Sequence, residues 1–150
     1  MSKPIVAFVG LGLMGGPMAV RLAAAGYQLH VWNRSRAKLK PALDQGAIAA
    51  NTPQDAAQAA HLTFMCLMDA HAVEEVVFGK HGIVHAQGHG KVLIDHSSMR
   101  PDKTREFAKR LREANGMEWI DAPVSGGTVG AANGTGPGVL PNFTGVAKPW

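Results

Sequence analysis

Ile5-Val6-Ala7-Phe8-Val9-Gly10-Leu11-Gly12-Leu13-Met14-Gly15 is the stretch that decides the fold of this chain. Its apolar first half is typical of a buried strand, and the residues after the glycine-rich turn, from about Met14 to Ala25, predict a helix. Gly10 permits a tight turn, Gly12 lets the main chain approach a phosphate without a Cβ in the way, and Gly15 lets helix and strand pack closely. Because the N–H groups and the positive dipole end of the helix face the same spot, the stretch predicts a pyrophosphate site for a dinucleotide. The alternative is a plain strand-to-helix turn.

Composition and charge exclude several classes of protein. The chain has 150 residues, of which 46% are apolar and 17% charged, so we expect one globular domain with a sizeable core. No stretch approaches the roughly 18 consecutive apolar residues of a membrane span, and the N-terminus runs straight into a strand, so we expect neither a membrane partner nor a secretory signal. Cys66 is the only cysteine, which rules out an internal disulfide and indicates a reducing cytoplasm. The net charge of +4 suits an anionic cofactor, and no basic stretch is interleaved with aromatic residues, so we expect no nucleic-acid partner.

Strand and helix signals alternate along the chain, which predicts a Rossmann-type, doubly wound α/β fold with a mostly parallel sheet. Further strands are expected at residues 28–32, 47–50, 62–67, 92–95 and 118–122. The run 62–67 has almost no polar alternation, so we expect it at the centre of the sheet. Helices are expected at about 35–45, 54–60, 71–78 and 101–115, with N-caps at Ser35 and Thr52 and stops at Gly26, Gly46 and Gly116. We expect residues 1–125 to form the dinucleotide-binding domain and residues 126–150 to form a tail rich in glycine and proline.

The end of the second predicted strand indicates which dinucleotide binds. In such folds an Asp or Glu there accepts a hydrogen bond from the 2′-OH of the adenosine ribose and repels a 2′-phosphate. This chain has Asn33-Arg34-Ser35-Arg36 at that place and no carboxylate. Arg34 offers a planar fork to a phosphate, and Asn33 and Ser35 can add neutral hydrogen bonds. The motif therefore predicts NADP(H) in preference to NAD(H), and the alternative is a solvated basic turn.

Four separated segments carry a more specific pattern. They are Phe8–Ala19, Trp32-Asn33-Arg34-Ser35, Ile94-Asp95-His96-Ser97-Ser98, and Asp121-Ala122-Pro123-Val124-Ser125-Gly126-Gly127 with its continuation to Thr135. Together they resemble the β-hydroxyacid dehydrogenase family, which includes 3-hydroxyisobutyrate dehydrogenase and 2-hydroxy-3-oxopropionate reductase. The resemblance implies an NADP-dependent oxidoreductase that acts on a small anionic hydroxyacid or semialdehyde, and full-length members can be oligomers. Imine reductases share this first domain, and a non-catalytic NADP-binding module or fragment is the other alternative.

The resemblance also implies roles for individual residues. The Leu67-Met68 turn would cover the cofactor, with Met68 in place of the family's usual proline. Ser98 is similar to a contact near the nicotinamide, Ser97 is similar to a substrate contact, and the Ser125-Gly126-Gly127 turn is similar to the loop that binds the substrate carboxylate. The alternatives are that the two serines only cap the next helix and that the glycine turn is a flexible linker. The cofactor-binding residues implied are Gly10, Leu11, Gly12, Leu13, Met14, Gly15, Asn33, Arg34, Ser35, Leu67, Met68 and Ser98.

Two features of the family do not occur in this sequence. The family's general acid/base is a lysine in a Gly-x-x-x-Lys-x-x-Asn-Asn-like stretch on a helix after the first domain, and no such stretch is present. The second, helical domain is missing too, and the sequence departs abruptly from the family after Thr135. We therefore expect a truncated chain or an altered reading frame, with weak cofactor binding and little turnover. We expect no metal site at His81, His85 and His89, because glycines interrupt any helix that would align them.

Overall fold

The residues that the structure describes, 3–123 and the backbone of 148–149, form a single sheet with helices on both faces in a computed structural model. The strands are β1 (Val6–Val9), β2 (Leu29–Trp32), β3 (Ile48–Ala49), β4 (Leu62–Met65), β5 (Val92–Asp95), β6 (Glu118–Asp121) and β7 (Lys148–Pro149). Their order in the sheet is β3-β2-β1-β4-β5-β6-β7; β1 to β6 run parallel, and β7 pairs antiparallel with β6. The predicted Rossmann-type fold, with a mostly parallel sheet, is confirmed.

Helices connect the parallel strands. They are α1 (Gly15–Ala24), α2 (Lys40–Asp44), α3 (Pro53–Ala59), α4 (Ala70–Phe78) and α5 (Pro101–Asn115), with short 3-10 turns at Arg36–Leu39 and Ile83–His85. Thr52 caps α3 as predicted, because its Oγ1 accepts a hydrogen bond from the Asp55 N–H at 3.0 Å. Gly116 ends α5 as predicted, in the left-handed conformation with φ at +81°.

The single helix predicted over residues 35–45 is wrong. Ser35 precedes a 3-10 turn and makes no capping hydrogen bond, and the segment continues as the separate short helix α2. Pro41 in the first turn of α2 explains the division, because its nitrogen carries no hydrogen and cannot continue the ladder of main-chain hydrogen bonds. The third strand is also shorter than predicted, since only Ile48–Ala49 forms strand β3.

Alternate residues of β1 enter two separate cores. Val6 and Phe8 pack with buried residues of α1 and α2, whereas Ala7 and Val9 pack with α3, α4 and α5. A strand that is buried on both faces has no polar side to show in its sequence. This is why the run 62–67 also lacks polar alternation: its strand β4 lies between β1 and β5, at the predicted central position.

The order of the strands places a crevice beside the glycine-rich turn. From β1 the chain adds β2 and β3 on one side, and then returns to place β4 on the other side of β1. The loops that follow β1 and β4 therefore diverge at the carboxyl edge of the sheet. In folds of this class, ligands bind in the crevice at that point.

Candidate functional site

Gly10 lets the chain turn at a point where three loops meet. Its φ is +96°, and a Cβ there would overlap the carbonyl oxygen of Cys66 and lie 2.8 Å from Leu67 Cδ2. Its N–H donates to the carbonyl oxygen of Trp32 at 3.0 Å. Only glycine fits both this backbone conformation and this close approach. The turn after β1 is thus held against the loops that follow β2 and β4.

Gly12 and Gly15 differ in what surrounds them. A Cβ at Gly15 would overlap the carbonyl oxygen of Gly10 and lie 3.0 Å from Phe8 Cε1, so the start of α1 can approach β1 only because this side chain is absent. A Cβ at Gly12 would meet no atom within 4 Å. The protein itself therefore requires Gly10 and Gly15, whereas the space beside Gly12 is open, as a phosphate approach would need. The contact between Gly12 and a phosphate stays a prediction.

The N-terminus of α1 faces this open space without a compensating charge. Met14, at the N-cap position, makes no side-chain capping hydrogen bond, and the first turn of α1 contains no acidic residue. The positive end of the helix dipole is therefore available to an anion. Leu13, in the same turn, is 80% exposed. An uncapped helix start beside an open glycine fits the pyrophosphate of a dinucleotide.

Asn33 joins the glycine-rich turn to the loop after β2. Its Oδ1 accepts a hydrogen bond from the Leu11 N–H at 2.9 Å, and its Nδ2 donates to the carbonyl oxygen of Ser35 at 3.0 Å. Sequence reasoning assigned Asn33 to the cofactor and missed this internal role. The amide of Asn33 could have signalled this role, because an amide can accept one hydrogen bond and donate another, whereas a carboxylate can only accept.

Two neighbouring arginines of the loop after β2 are held differently. The Arg36 Nη1 donates to the carbonyl oxygen of Ala50 at 2.6 Å. Arg34 is exposed and makes no hydrogen bond or ion pair with any residue that the structure describes. Arg34 also lines a cavity of about 430 Å³, whose other lining residues include the apolar Trp32, Pro53, Leu67 and Val76 and the charged Glu75 and Lys80. The free guanidinium thus lies at a partly apolar cavity on the β2 side of the crevice, where the adenosine half of a dinucleotide is expected.

The two serines after β5 have different environments. Ser97 is only 2% exposed, and its Oγ accepts a hydrogen bond from the Leu67 N–H at 2.8 Å. Ser98 is exposed, and so is Met68, at 91%. The alternative that these serines cap the next helix is wrong, because α5 begins after Arg100 and has no side-chain cap. Ser98 and Met68 can therefore reach a ligand directly, while the Ser97 hydroxyl is engaged within the protein.

Two ionisable residues lie buried beneath this edge, and sequence reasoning gave them no role. Burial lowers the pKa of His96, whose ring stacks on Phe64 with ring centroids 5.9 Å apart. Its Nδ1 lies 2.6 Å from the carbonyl oxygen of Ala122 and therefore carries the hydrogen. Burial also raises the pKa of Asp95 to about 7. Alternation of polar and apolar residues could not reveal that Asp95 and His96 are buried, because both follow the apolar residues of β5 at its end.

The sequence matches a known family over most of its length. The family model for the NAD binding domain of 6-phosphogluconate dehydrogenase matches residues 5–138. The chain belongs to this family. One relative is the 2-hydroxy-3-oxopropionate reductase of Escherichia coli K12, which is 42% identical over 132 residues that cover 85% of this chain and 43% of the reductase. The chain thus spans about half the length of the curated relatives it matches.

Several solved structures share the fold of this NAD-binding domain. The Mycobacterium tuberculosis 3-hydroxyisobutyrate dehydrogenase has a TM-score of 0.82 and 27% identity over 90% of this chain and 45% of its own. Psf3 in complex with NADP+ and 2-OPP has a TM-score of 0.80 and 32% identity, covering 87% of this chain and 46% of Psf3. An imine reductase from Pseudomonas sp. has a TM-score of 0.79 and 27% identity, covering 86% and 44%. The resemblance to β-hydroxyacid dehydrogenases is confirmed, and imine reductases are structural neighbours.

Cys66 is a partly buried thiol. Burial, together with the charge of Asp95, raises the pKa of the Cys66 thiol to about 11, so this cysteine is protonated at neutral pH.

Within residues 3–123, no three His, Cys, Asp or Glu side chains are grouped as a metal ion requires. No helix in the described part of the chain is long and apolar enough to cross a membrane. The Ser125-Gly126-Gly127 turn lies outside the described residues, so its contact with a substrate stays a prediction.

Proposed function

We propose that this chain is the cofactor-binding half of an NADP-dependent oxidoreductase of the β-hydroxyacid dehydrogenase type. The observation that carries the proposal is the loop after β2, in which Arg34 is exposed at a cavity, unpaired within residues 3–123, and residues 33–36 include no carboxylate. A carboxylate there would repel a 2′-phosphate, whereas a free guanidinium attracts one. The relatedness to 2-hydroxy-3-oxopropionate reductase and to 3-hydroxyisobutyrate dehydrogenase supports the reaction class.

Different residues of the crevice would bind different parts of the cofactor. The open side of Gly12 and the uncapped start of α1 would hold the pyrophosphate. Arg34 would meet the 2′-phosphate, and Met68 and Ser98 would lie near the nicotinamide. The bound nicotinamide would exchange a hydride with the carbon that bears the substrate hydroxyl. The described residues thus bind and orient the cofactor, and we assign none of them as general acid or base.

The proposed substrate is a small anionic hydroxyacid or semialdehyde. The 2-hydroxy-3-oxopropionate reductase, at 42% identity, is the observation that favours this class. A cyclic imine is the second candidate, favoured by the structural match to an imine reductase. Assays of the full-length protein with a semialdehyde and with a cyclic imine, each with NADPH, distinguish the two. Binding of NADPH with turnover of neither would instead indicate a non-catalytic module. We also propose a cytoplasmic location, because a chain with a single cysteine has no internal disulfide, as is usual for proteins of reducing compartments.

Titration with NADPH and NADH tests the cofactor proposal. We expect the chain to bind NADPH more tightly than NADH. Arg34→Ala should raise the Kd for NADPH by about tenfold or more, because hydrogen bonds to charged groups are lost, and should leave the Kd for NADH nearly unchanged. Arg36→Ala is the matched control: it removes the same charge two residues away, but from a guanidinium already bonded to Ala50.

The same titration can refute the proposal in two ways. An unchanged preference for NADPH in Arg34→Ala would show that this side chain does not read the 2′-phosphate. A folded chain whose melting temperature and fluorescence respond to neither cofactor would show that the crevice does not bind a nicotinamide dinucleotide.

A further inference from the structure

Two loops at the crevice are tied together by the hydroxyl of Ser97, and a buried carboxyl group holds the backbone of Ser97. Asp95, the last residue of β5, has no exposed surface, and its Oδ1 accepts a hydrogen bond from the Ser97 N–H at 2.8 Å. The Oγ of Ser97, which is also buried, accepts a hydrogen bond from the N–H of Leu67 at 2.8 Å, across 30 positions of sequence. The main chain after β4 is therefore tied to the loop after β5 by the Ser97 hydroxyl, and Asp95 holds the main chain of Ser97 in place.

The two hydrogen bonds that join Leu67, Ser97 and Asp95, called the tie below, lie next to the residues that face the crevice. Leu67 packs beside the glycine-rich turn, since a Cβ at Gly10 would lie 2.8 Å from its Cδ2. Met68 follows Leu67 directly, Ser98 follows Ser97 directly, and both side chains are exposed. A shift of the Ser97 hydroxyl would therefore move the positions at which Met68 and Ser98 can meet a ligand.

We propose that Asp95 is a positioning residue of the cofactor crevice, which acts through Ser97 to set the spacing between the Leu67-Met68 turn and the Ser97-Ser98 turn. The proposal rests on the proposed function, because the ligand that needs this spacing is NADPH. Asp95 is fully buried and does not itself face the ligand.

The surroundings of Asp95 make the tie sensitive to pH. Burial raises the pKa of Asp95 to about 7, the charge of Asp121 on β6 adds to this, and hydrogen bonding from Ser97 opposes it only in part. The charge of Asp95 also acts on the Cys66 thiol, whose raised pKa keeps that thiol neutral. His96 follows Asp95 in sequence, but its ring stacks on Phe64 in the other core, and its pKa is lowered by burial.

The charge state of Asp95 changes the strength of the tie. A carboxylate accepts a hydrogen bond from an N–H or O–H group more strongly than a neutral carboxyl group does. The hold of Asp95 on Ser97 therefore tightens as the pH rises through about 7. The 2′-phosphate of NADPH also titrates, but it does so equally with every variant, so differences between variants report on the protein.

Four variants of the full chain test the proposal by NADPH titration at about pH 6 and pH 8. Asp95→Ala and Ser97→Ala should raise the Kd by about five- to tenfold at pH 8, the effect of one lost hydrogen bond. Asp95→Asn keeps an acceptor oxygen without a titrating charge, so it should rescue most of the affinity of Asp95→Ala and bind with less pH dependence than the wild type. Asp121→Asn, a change of the same kind on the neighbouring strand, should keep the affinity and shift the pH midpoint downward.

Amide signals in the cofactor-free chain give a readout that a merely structural role would not produce. In a ¹⁵N-labelled wild type, the Ser97 and Leu67 amides should titrate with one common midpoint near the pKa of Asp95. In Asp95→Asn neither should show this titration, and in Ser97→Ala the Leu67 amide should no longer follow it.

Two results would overturn the proposal while leaving the proposed function intact. One is wild-type affinity for NADPH in both Asp95→Ala and Ser97→Ala, each shown to be folded. The other is a Leu67 amide that titrates in Ser97→Ala as it does in the wild type. Failure of the wild-type chain to bind NADPH would overturn the proposed function and the cofactor role of Asp95 together, and the amide titrations would still decide whether the tie exists.

Discussion

Gly15→Ala should impair folding and Gly12→Ala should impair cofactor binding, although both add one methyl group to the same turn. At Gly15 the new Cβ would overlap the Gly10 carbonyl oxygen and crowd the Phe8 ring. Both neighbours belong to or adjoin the central strand β1, so neither can move away like the end of a flexible side chain. At Gly12 the new Cβ would meet nothing within 4 Å.

The magnitudes follow from these surroundings. Overpacking that shifts backbone costs about 1–3 kcal/mol and sometimes more, and the better helix propensity of alanine recovers less than about 1 kcal/mol. We therefore expect Gly15→Ala to lower the free energy of unfolding by about 2 kcal/mol. For Gly12→Ala we expect a change within about 0.5 kcal/mol, as for substitutions that touch nothing. The same Cβ would occupy the space of a phosphate oxygen, so the Kd for NADPH should rise by about tenfold or more.

Urea unfolding followed by tryptophan fluorescence, to which the buried Trp119 contributes, measures the first quantity, and NADPH titration measures the second. The two variants control for each other, because any general effect of a methyl group in the turn would appear in both. A Gly12→Ala chain that is as unstable as Gly15→Ala would refute the steric argument. A stable Gly12→Ala chain that binds NADPH like the wild type would refute the placement of the pyrophosphate.

Two further predictions concern the buried ionisable groups. The pKa of Asp95 is about 7 in the folded chain, against its ordinary 3.8. Between about pH 4 and pH 7 the folded state therefore holds a proton that the unfolded state has lost. The free energy of unfolding should fall over this range by up to about 4 kcal/mol relative to that of Asp95→Asn. Urea unfolding of both proteins at several pH values checks this, and parallel curves would contradict it. Cys66, with a pKa of about 11, should react with a thiol reagent at pH 8 far more slowly in the folded chain than in urea, since only about one thiol in a thousand is ionised. Equal rates in the two states would show that the thiolate is accessible.

The parts of the fold that the sequence predicted are those with a local physical cause. β1 reads as an apolar run because both of its faces are buried, and Thr52 reads as a cap because a hydroxyl placed before Pro53 can reach the Asp55 N–H. Gly10 and Gly15 were predictable for the same reason, because strand, turn and helix follow one another directly along the chain. The error at Ser35 is of the same kind: Pro41 carried the relevant signal, but the cap and stop residues on either side outweighed it.

The hydrogen bonds beneath the crevice could not be predicted, because they join residues that are neighbours only across the sheet. The Leu67 N–H meets the Ser97 Oγ only because β4 and β5 are paired with Met65 opposite Asp95, a register that no single segment reveals. The same register gives Ser97 an inward and Ser98 an outward position. Sequence reasoning assigned Ser98 to the cofactor and Ser97 to the substrate, and it could not tell which of the two points inward.

Asn33 shows how one residue type can serve both the fold and the choice of cofactor. The turn after β1 needs an acceptor for the Leu11 N–H, and the loop after β2 needs a donor for the Ser35 carbonyl oxygen. An aspartate at this position could serve the first need but not the second, and its charge would lie one residue from Arg34. An amide satisfies both needs while remaining neutral, so the guanidinium of Arg34 has no carboxylate in its own loop with which to pair. The side chain that joins the two loops is thus also the one that keeps a carboxylate away from the position next to Arg34, where a 2′-phosphate is proposed to bind.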